Sequence, residues 1–120
     1  MFDFALYKIT PRDLQYPSSW LSRKGSIRLS YAELIALIGP AHTTFDRGKI
    51  DVEWDFEGGL SQDRARFIIS NYKNGPNSKH PFKGLSRLED IPSFSIAWNN
   101  KKAADLAELI FGKSLVPDPK

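Results

Sequence analysis

The chain has 120 residues, 41% hydrophobic and 12% aromatic, enough for one domain with a packed core and too apolar for a disordered tail. It has no cysteine, which excludes disulfide frameworks, zinc–thiolate centres and thiol nucleophiles and suits a reducing compartment. A formal net charge of +3 is too small to imply nucleic acid by itself, so the distribution of charge says more than its sum.

The first residues, Met1-Phe2-Asp3-Phe4, lack the basic and long apolar segments of a signal peptide. Phe2 to Ile9 alternates, which predicts a first strand with Phe2, Phe4 and Leu6 on one face, stopped by Pro11. Residues 11–28 read as irregular and basic. Pro17, Ser18, Ser19 and Gly25 break the periodicity, and Arg12, Arg23, Lys24 and Arg28 supply charge. Trp20 lies within this segment; exposed, it would suit an interface anchor, and folding back onto the domain is an equal alternative.

Ser30 and Glu33 form a capping-box pattern, flanked by Leu29 and Leu34 as a hydrophobic staple, and Gly39-Pro40 ends the helix. The spacing predicts a short helix over 31–38. The run Leu34 to Ile38 is the longest apolar stretch and is far too short to cross a bilayer, so the expectation is a cytoplasmic protein without a membrane anchor.

Ile50 to Glu57 is the clearest strand. Ile50, Val52, Trp54 and Phe56 fall on one face, and Asp51, Glu53, Asp55 and Glu57 on the other. Gly58-Gly59 turns the chain into a returning strand over 64–73, whose Arg64, Arg66 and Lys73 can lie across from the acidic row. Residues 74–84 read as a loop, 93–98 as a strand with Phe94, Ile96 and Trp98 in phase, and 101–111 as a helix capped by Asn99 or Asn100 and stopped by Gly112. The expected fold is α+β and two-layered. An antiparallel sheet of about four strands, in the order β-α-β-β-β-α, carries two helices on one face and charges on the other. The whole chain, 1–120, reads as one domain, with 116–120 a loose tail.

These residues and their order resemble a group of small phage and prophage proteins, mostly without assigned function. The matching pieces are Glu33-Leu-Ile-Ala-Leu-Ile-Gly39-Pro40, Glu53-Trp54, Ile69-Ser-Asn-Tyr-Lys73-Asn-Gly75 and Phe94-Ser-Ile-Ala-Trp98. The last departs from the group's Trp-His-Ile-Gly-Gly, with Phe94 for Trp, Ser95 for His, and Ala97 and Trp98 for the glycines. The resemblance spans roughly residues 33–111 and implies a phage or mobile-element origin. By association of origin, it also implies an anti-defence role of the anti-CRISPR kind.

Three chemistries compete on the residues themselves. The two histidines, His42 and His80, stand alone without a catalytic motif and read as surface residues, so no catalytic residue, cofactor or metal is expected. The row Asp51, Glu53, Asp55 and Glu57 reads as the solvated face of the sheet, able to imitate nucleic acid against a basic partner. With Lys73 it also sketches a metal-dependent nuclease, but Asn71 replaces the second carboxylate that such a site needs. The span between Asp63 and Glu89 has no acid. Its Lys73, Lys79, Lys83 and Arg87, together with Arg23, Lys24 and Arg28, form a basic contact for nucleic acid, a nucleotide or an acidic partner. The leading expectation is a non-enzymatic protein that binds and inhibits a host protein, such as a nucleoprotein defence complex. A nucleic-acid or nucleotide binder is the alternative, and a nuclease comes third.

Overall fold

The computed structural model describes residues 1–11, 21–47, 50–58, 65–71 and 88–119, with the backbone alone for residues 43–47, 50, 51 and 90. Within these residues lie the strands β1 (Ile9–Pro11), β2 (Arg23–Ile27), β3 (Thr43–Arg47), β4 (Ile50–Gly58), β5 (Ala65–Ser70), β6 (Phe94–Trp98) and β7 (Leu115–Pro117). The helices are α1 (Tyr31–Ile38) and α2 (Lys101–Phe111).

Both helices start and stop where the caps require. The Ser30 Oγ accepts the Glu33 N–H at 3.1 Å while Glu33 Oε1 accepts the Ser30 N–H at 3.0 Å, so two donors orphaned at the helix start are satisfied. Those bonds hold the Glu33 carboxyl below its usual range. Gly39 ends α1 at φ 85°, a left-handed value that a side chain resists. Asn100 Oδ1 caps α2 by accepting the Ala103 N–H at 2.9 Å.

The fold is α+β with one antiparallel sheet. Its strand order is β1-β4-β5-β6-β2-β7, and β3 pairs with β4 off this path. That is a six-stranded path plus one strand, against the expected sheet of about four. The additions are the elements that sequence periodicity passed over. β2 is the sequence Arg-Lys-Gly-Ser-Ile, which does not alternate and carries a register irregularity between Arg23 and Gly25. β7 is only three residues long, and Val116 pairs with Ser26 of β2. The C-terminal stretch is therefore sheet as far as Pro117, not a loose tail.

The N-terminal expectation also changes. Residues 5–7 form a 3-10 turn and Lys8 takes the left-handed conformation at φ 56°. The strand is thus confined to Ile9–Pro11. Phe2 donates its N–H to Leu37 O at 2.8 Å and Phe4 stacks on Phe56 at 4.6 Å between ring centroids. These two anchors fold the chain over the sheet, and Leu6 turns outward instead of sharing their face.

One apolar cluster holds the molecule together. It joins Val52, Trp54 and Phe56 of β4, Phe67 and Ile69 of β5, Phe94 and Ile96 of β6, Ile27 of β2, Leu34 and Ile38 of α1, and Ala107, Ile110 and Phe111 of α2. Each such large side chain contributes about 1.5–3 kcal/mol by leaving water. The Trp54 Nε1–H donates to Gly39 O at 2.9 Å, tying the end of α1 to β4. No helix among the described residues is long and apolar enough to cross a membrane.

Candidate functional site

The acidic row on β4 is the first candidate, and two of its members are covered rather than solvated. Glu53 is 3% exposed and Asp55 is 0% exposed. Glu57 is half-buried, and the side chain of Asp51 lies outside the described residues. Period-two alternation correctly separates the two faces of β4. It does not reveal that both are buried at Glu53 and Asp55.

Burial of Asp55 is answered by Arg66 from the neighbouring strand. The pair in direct register is Asp55 with Ile68, and Arg66 stands opposite Glu57. The guanidinium therefore reaches diagonally, with Nη2 donating to Asp55 Oδ2 at 3.2 Å and Nε to Oδ1 at 3.4 Å. This is the expected cross-strand attraction, moved one pair along the ladder. The Arg66 backbone is itself held by Asn99, whose Oδ1 accepts the Arg66 N–H at 2.9 Å. Every buried side-chain nitrogen or oxygen among the described residues has a partner.

Asn71, at the nuclease-like second-carboxylate position, does structural work. Its Oδ1 accepts the Val52 N–H at 3.1 Å. Asp55 is committed to Arg66 in the same way. Among the described residues no group of three or more acidic or histidine side chains is placed to hold a metal ion. Lys73, the remaining member of the nuclease pattern, lies outside the described residues.

His42 differs from its expected role as a surface residue. Its Nδ1 accepts the Asp55 N–H at 2.9 Å, and its ring meets Phe56 edge-on at 4.5 Å. Burial pushes the imidazole pKa down, against the opposing pull of the Asp55 carbonyl and the Asp55 charge. The ring is thus a backbone partner for β4, and no feature of its sequence neighbourhood signals that.

The basic residues of β2 and its C-terminal flank divide into one that is occupied and two that are open. Arg23 donates to both Asp118 oxygens, at 3.0 and 3.3 Å, and to Ser95 Oγ at 3.2 Å, fastening β2 to its two neighbours. Lys24 and Arg28 are exposed, and among the described residues neither has an ion-pair partner. Lys73, Lys79, Lys83, Arg87, His80 and Trp20 lie outside the described residues.

A surface that sequence reading missed sits at the N-terminal turn. Met1, Leu6 and Tyr7 are 83%, 70% and 40% exposed, and only Leu109 joins them as an exposed large apolar side chain among the described residues. The turn is anchored from below: Phe2 stacks on Tyr7 at 5.3 Å and meets Phe4 edge-on at 5.1 Å. The Lys8 N–H closes it onto Ala5 O at 3.1 Å. The outcome is a fixed apolar projection with a cation, Lys8, at its base. No family model, curated protein or solved structure matches the chain.

Proposed function

We propose that this chain acts by binding rather than by catalysis, as a phage or mobile-element protein that engages and inhibits a host protein of a defence system in the bacterial cytoplasm. The observation that carries the reading is the N-terminal turn. Leu6 and Tyr7, adjacent in the turn, stand out to water on an anchored support. Exposed apolar groups gathered in one place mark interaction sites, and preorganised ones lose little freedom on binding. The phage-protein resemblance supports a host target for that surface. The buried Glu53 and Asp55 weigh against the acidic face as the contact, so nucleic-acid imitation by that face is not part of the proposal.

The test is a pulldown of the tagged chain from host lysate, with and without nuclease, followed by an inhibition assay on the purified partner. Capture should survive nuclease. A Leu6→Asp variant with unchanged circular dichroism should bind at least about thirtyfold more weakly, the effect of losing a hot-spot contact. A partner held equally well by the variant would contradict the proposed contact. A partner whose activity is unaffected would contradict inhibition.

A second reading rests on Lys24 of β2 and Arg28 just beyond it, both exposed. If the partner is nucleic acid or a nucleotide, Lys24→Glu with Arg28→Glu abolishes capture, and affinity falls linearly on a log scale as salt rises. Capture lost on nuclease treatment would favour this reading over the first.

A further inference from the structure

Among the described residues the sheet path ends at β1 and β7, and these two strands share an arrangement of backbone donors. Along β7, the Asp118 N–H donates to Lys24 O and the Arg28 N–H to Ser114 O, both at 2.8 Å. Residues 114, 116 and 118 therefore turn their backbone toward β2, and by alternation residues 115, 117 and 119 turn theirs away. None of these three offers a donor. The Leu115 N–H is already given to Gly112 O, and positions 117 and 119 are prolines, which have no N–H.

The opposite end repeats the device. The Ile9 N–H points away from β4 and donates to Phe4 O at 2.9 Å, leaving Thr10, registered with Glu57, to face β4. The next outward position is Pro11. Each of these prolines also holds the residue before it in an extended conformation, so the same residues that straighten the end strands also strip them of donors.

We infer that β1 and β7 are built to refuse another strand, so that neither a second copy of the chain nor an extended segment of a partner lengthens the sheet at either end. An arriving strand finds carbonyls to donate to, but its own carbonyls meet no N–H and lose water for nothing. The inference does not depend on what the partner is. It requires a partner to be gripped by side chains, as at the N-terminal turn, and not by strand addition at these ends. β3, the third outer strand, has no proline and falls outside it.

The experiment compares the full chain with a Pro117→Val/Pro119→Val double variant and with Pro11→Val, by sedimentation velocity over a range of concentrations and by hydrogen exchange at residues 114–119. The double variant should self-associate at least about tenfold more tightly, the fold-change that one restored ladder hydrogen bond supplies. Its new protection should appear at β7 and grow with concentration. A folded double variant that associates no more than the natural chain overturns the inference, as does concentration-dependent protection of β7 in the natural chain. If the double variant does not fold, Pro119→Val alone, at an exposed position beyond β7, is read in the same way.

Discussion

His42 Nδ1 accepts the Asp55 N–H at 2.9 Å, and does so between Glu53, the last residue of β4 registered with β3, and Phe56, the first registered with β1. The imidazole fills the backbone position that neither outer strand reaches. Accepting that hydrogen needs an unprotonated Nδ1, so the neutral ring carries its hydrogen on Nε2. Protonation turns the contact around: Nδ1–H then faces Asp55 O, 3.0 Å away, and the Asp55 N–H loses its acceptor.

This arrangement makes stability depend on pH with a definite sign. Burial lowers the His42 pKa in the folded chain, so the unfolded chain takes up the proton more readily. The contribution is complete above the ordinary histidine value and is lost as pH falls through the lower folded value. Urea midpoints should therefore fall between about pH 7.5 and about pH 5.5, a window around the unperturbed histidine value and above most carboxylate titration. In His42→Gln, which still accepts a hydrogen bond but does not titrate, that fall should shrink. His80 is present in both chains, so a slope of equal size in the two would assign the effect elsewhere.

Removing the guanidinium from Asp55 should be costly. Arg66→Met takes the guanidinium away from a fully buried carboxylate, and breaking a buried ion pair from one side costs about 3–5 kcal/mol. Asp55→Asn combined with Arg66→Met should recover much of that loss, because both charges of the pair are then gone. Chemical denaturation of both variants measures the difference. If the double variant is as unstable as Arg66→Met alone, the pair is not what holds this part of the sheet.

Gly25 has no room for a side chain. A Cβ there would lie 2.6 Å from Val116 O and 3.0 Å from Pro117 Cα, both backbone atoms that cannot step aside cheaply. Gly25→Ala should push β7 off β2 and cost about 1–3 kcal/mol. Faster hydrogen exchange at Arg28 and Asp118, whose N–H groups cross between the two strands, reports the separation.

The capping box of α1 gives the mildest change. Ser30→Ala removes the acceptor of the Glu33 N–H and should cost about 1 kcal/mol, whereas Ser30→Gly should cost only a few tenths. Thermal melts of the two variants distinguish a cap from a residue held only by packing. Equal losses would mean that the hydroxyl is not what starts the helix.

Much of this architecture was legible where local chemistry decides it. Ser30, Glu33 and Gly39 mark α1, and Asn100 and Gly112 mark α2, because caps are satisfied by residues next to them in sequence. β4 and β6 follow from alternation. β2 and β7 do not, because each exists through a partner far along the chain, and their short, glycine- or proline-bearing sequences have no period of their own. The acidic row was legible as a row, but its burial was not: Glu53 and Asp55 alternate as solvent-facing residues do, and only the pairing with β5 puts Arg66 within reach of Asp55. Leu6 and Tyr7 point outward because Phe2 and Phe4 claim the sheet, a competition that spacing alone does not rank.

The pairing of β2 with β7 also dictates an order of assembly. Ile27 meets Leu115 and Gly25 meets Pro117, so β2 must wait for a strand made about ninety residues later. β6 can cover one side of β2 earlier, but the other side stays bare during synthesis until β7 has emerged. Over that interval β2 shows neighbouring molecules an unfinished margin. A chain cut short before residue 115 keeps that margin permanently, and should be lost to aggregation rather than to any failure of its core.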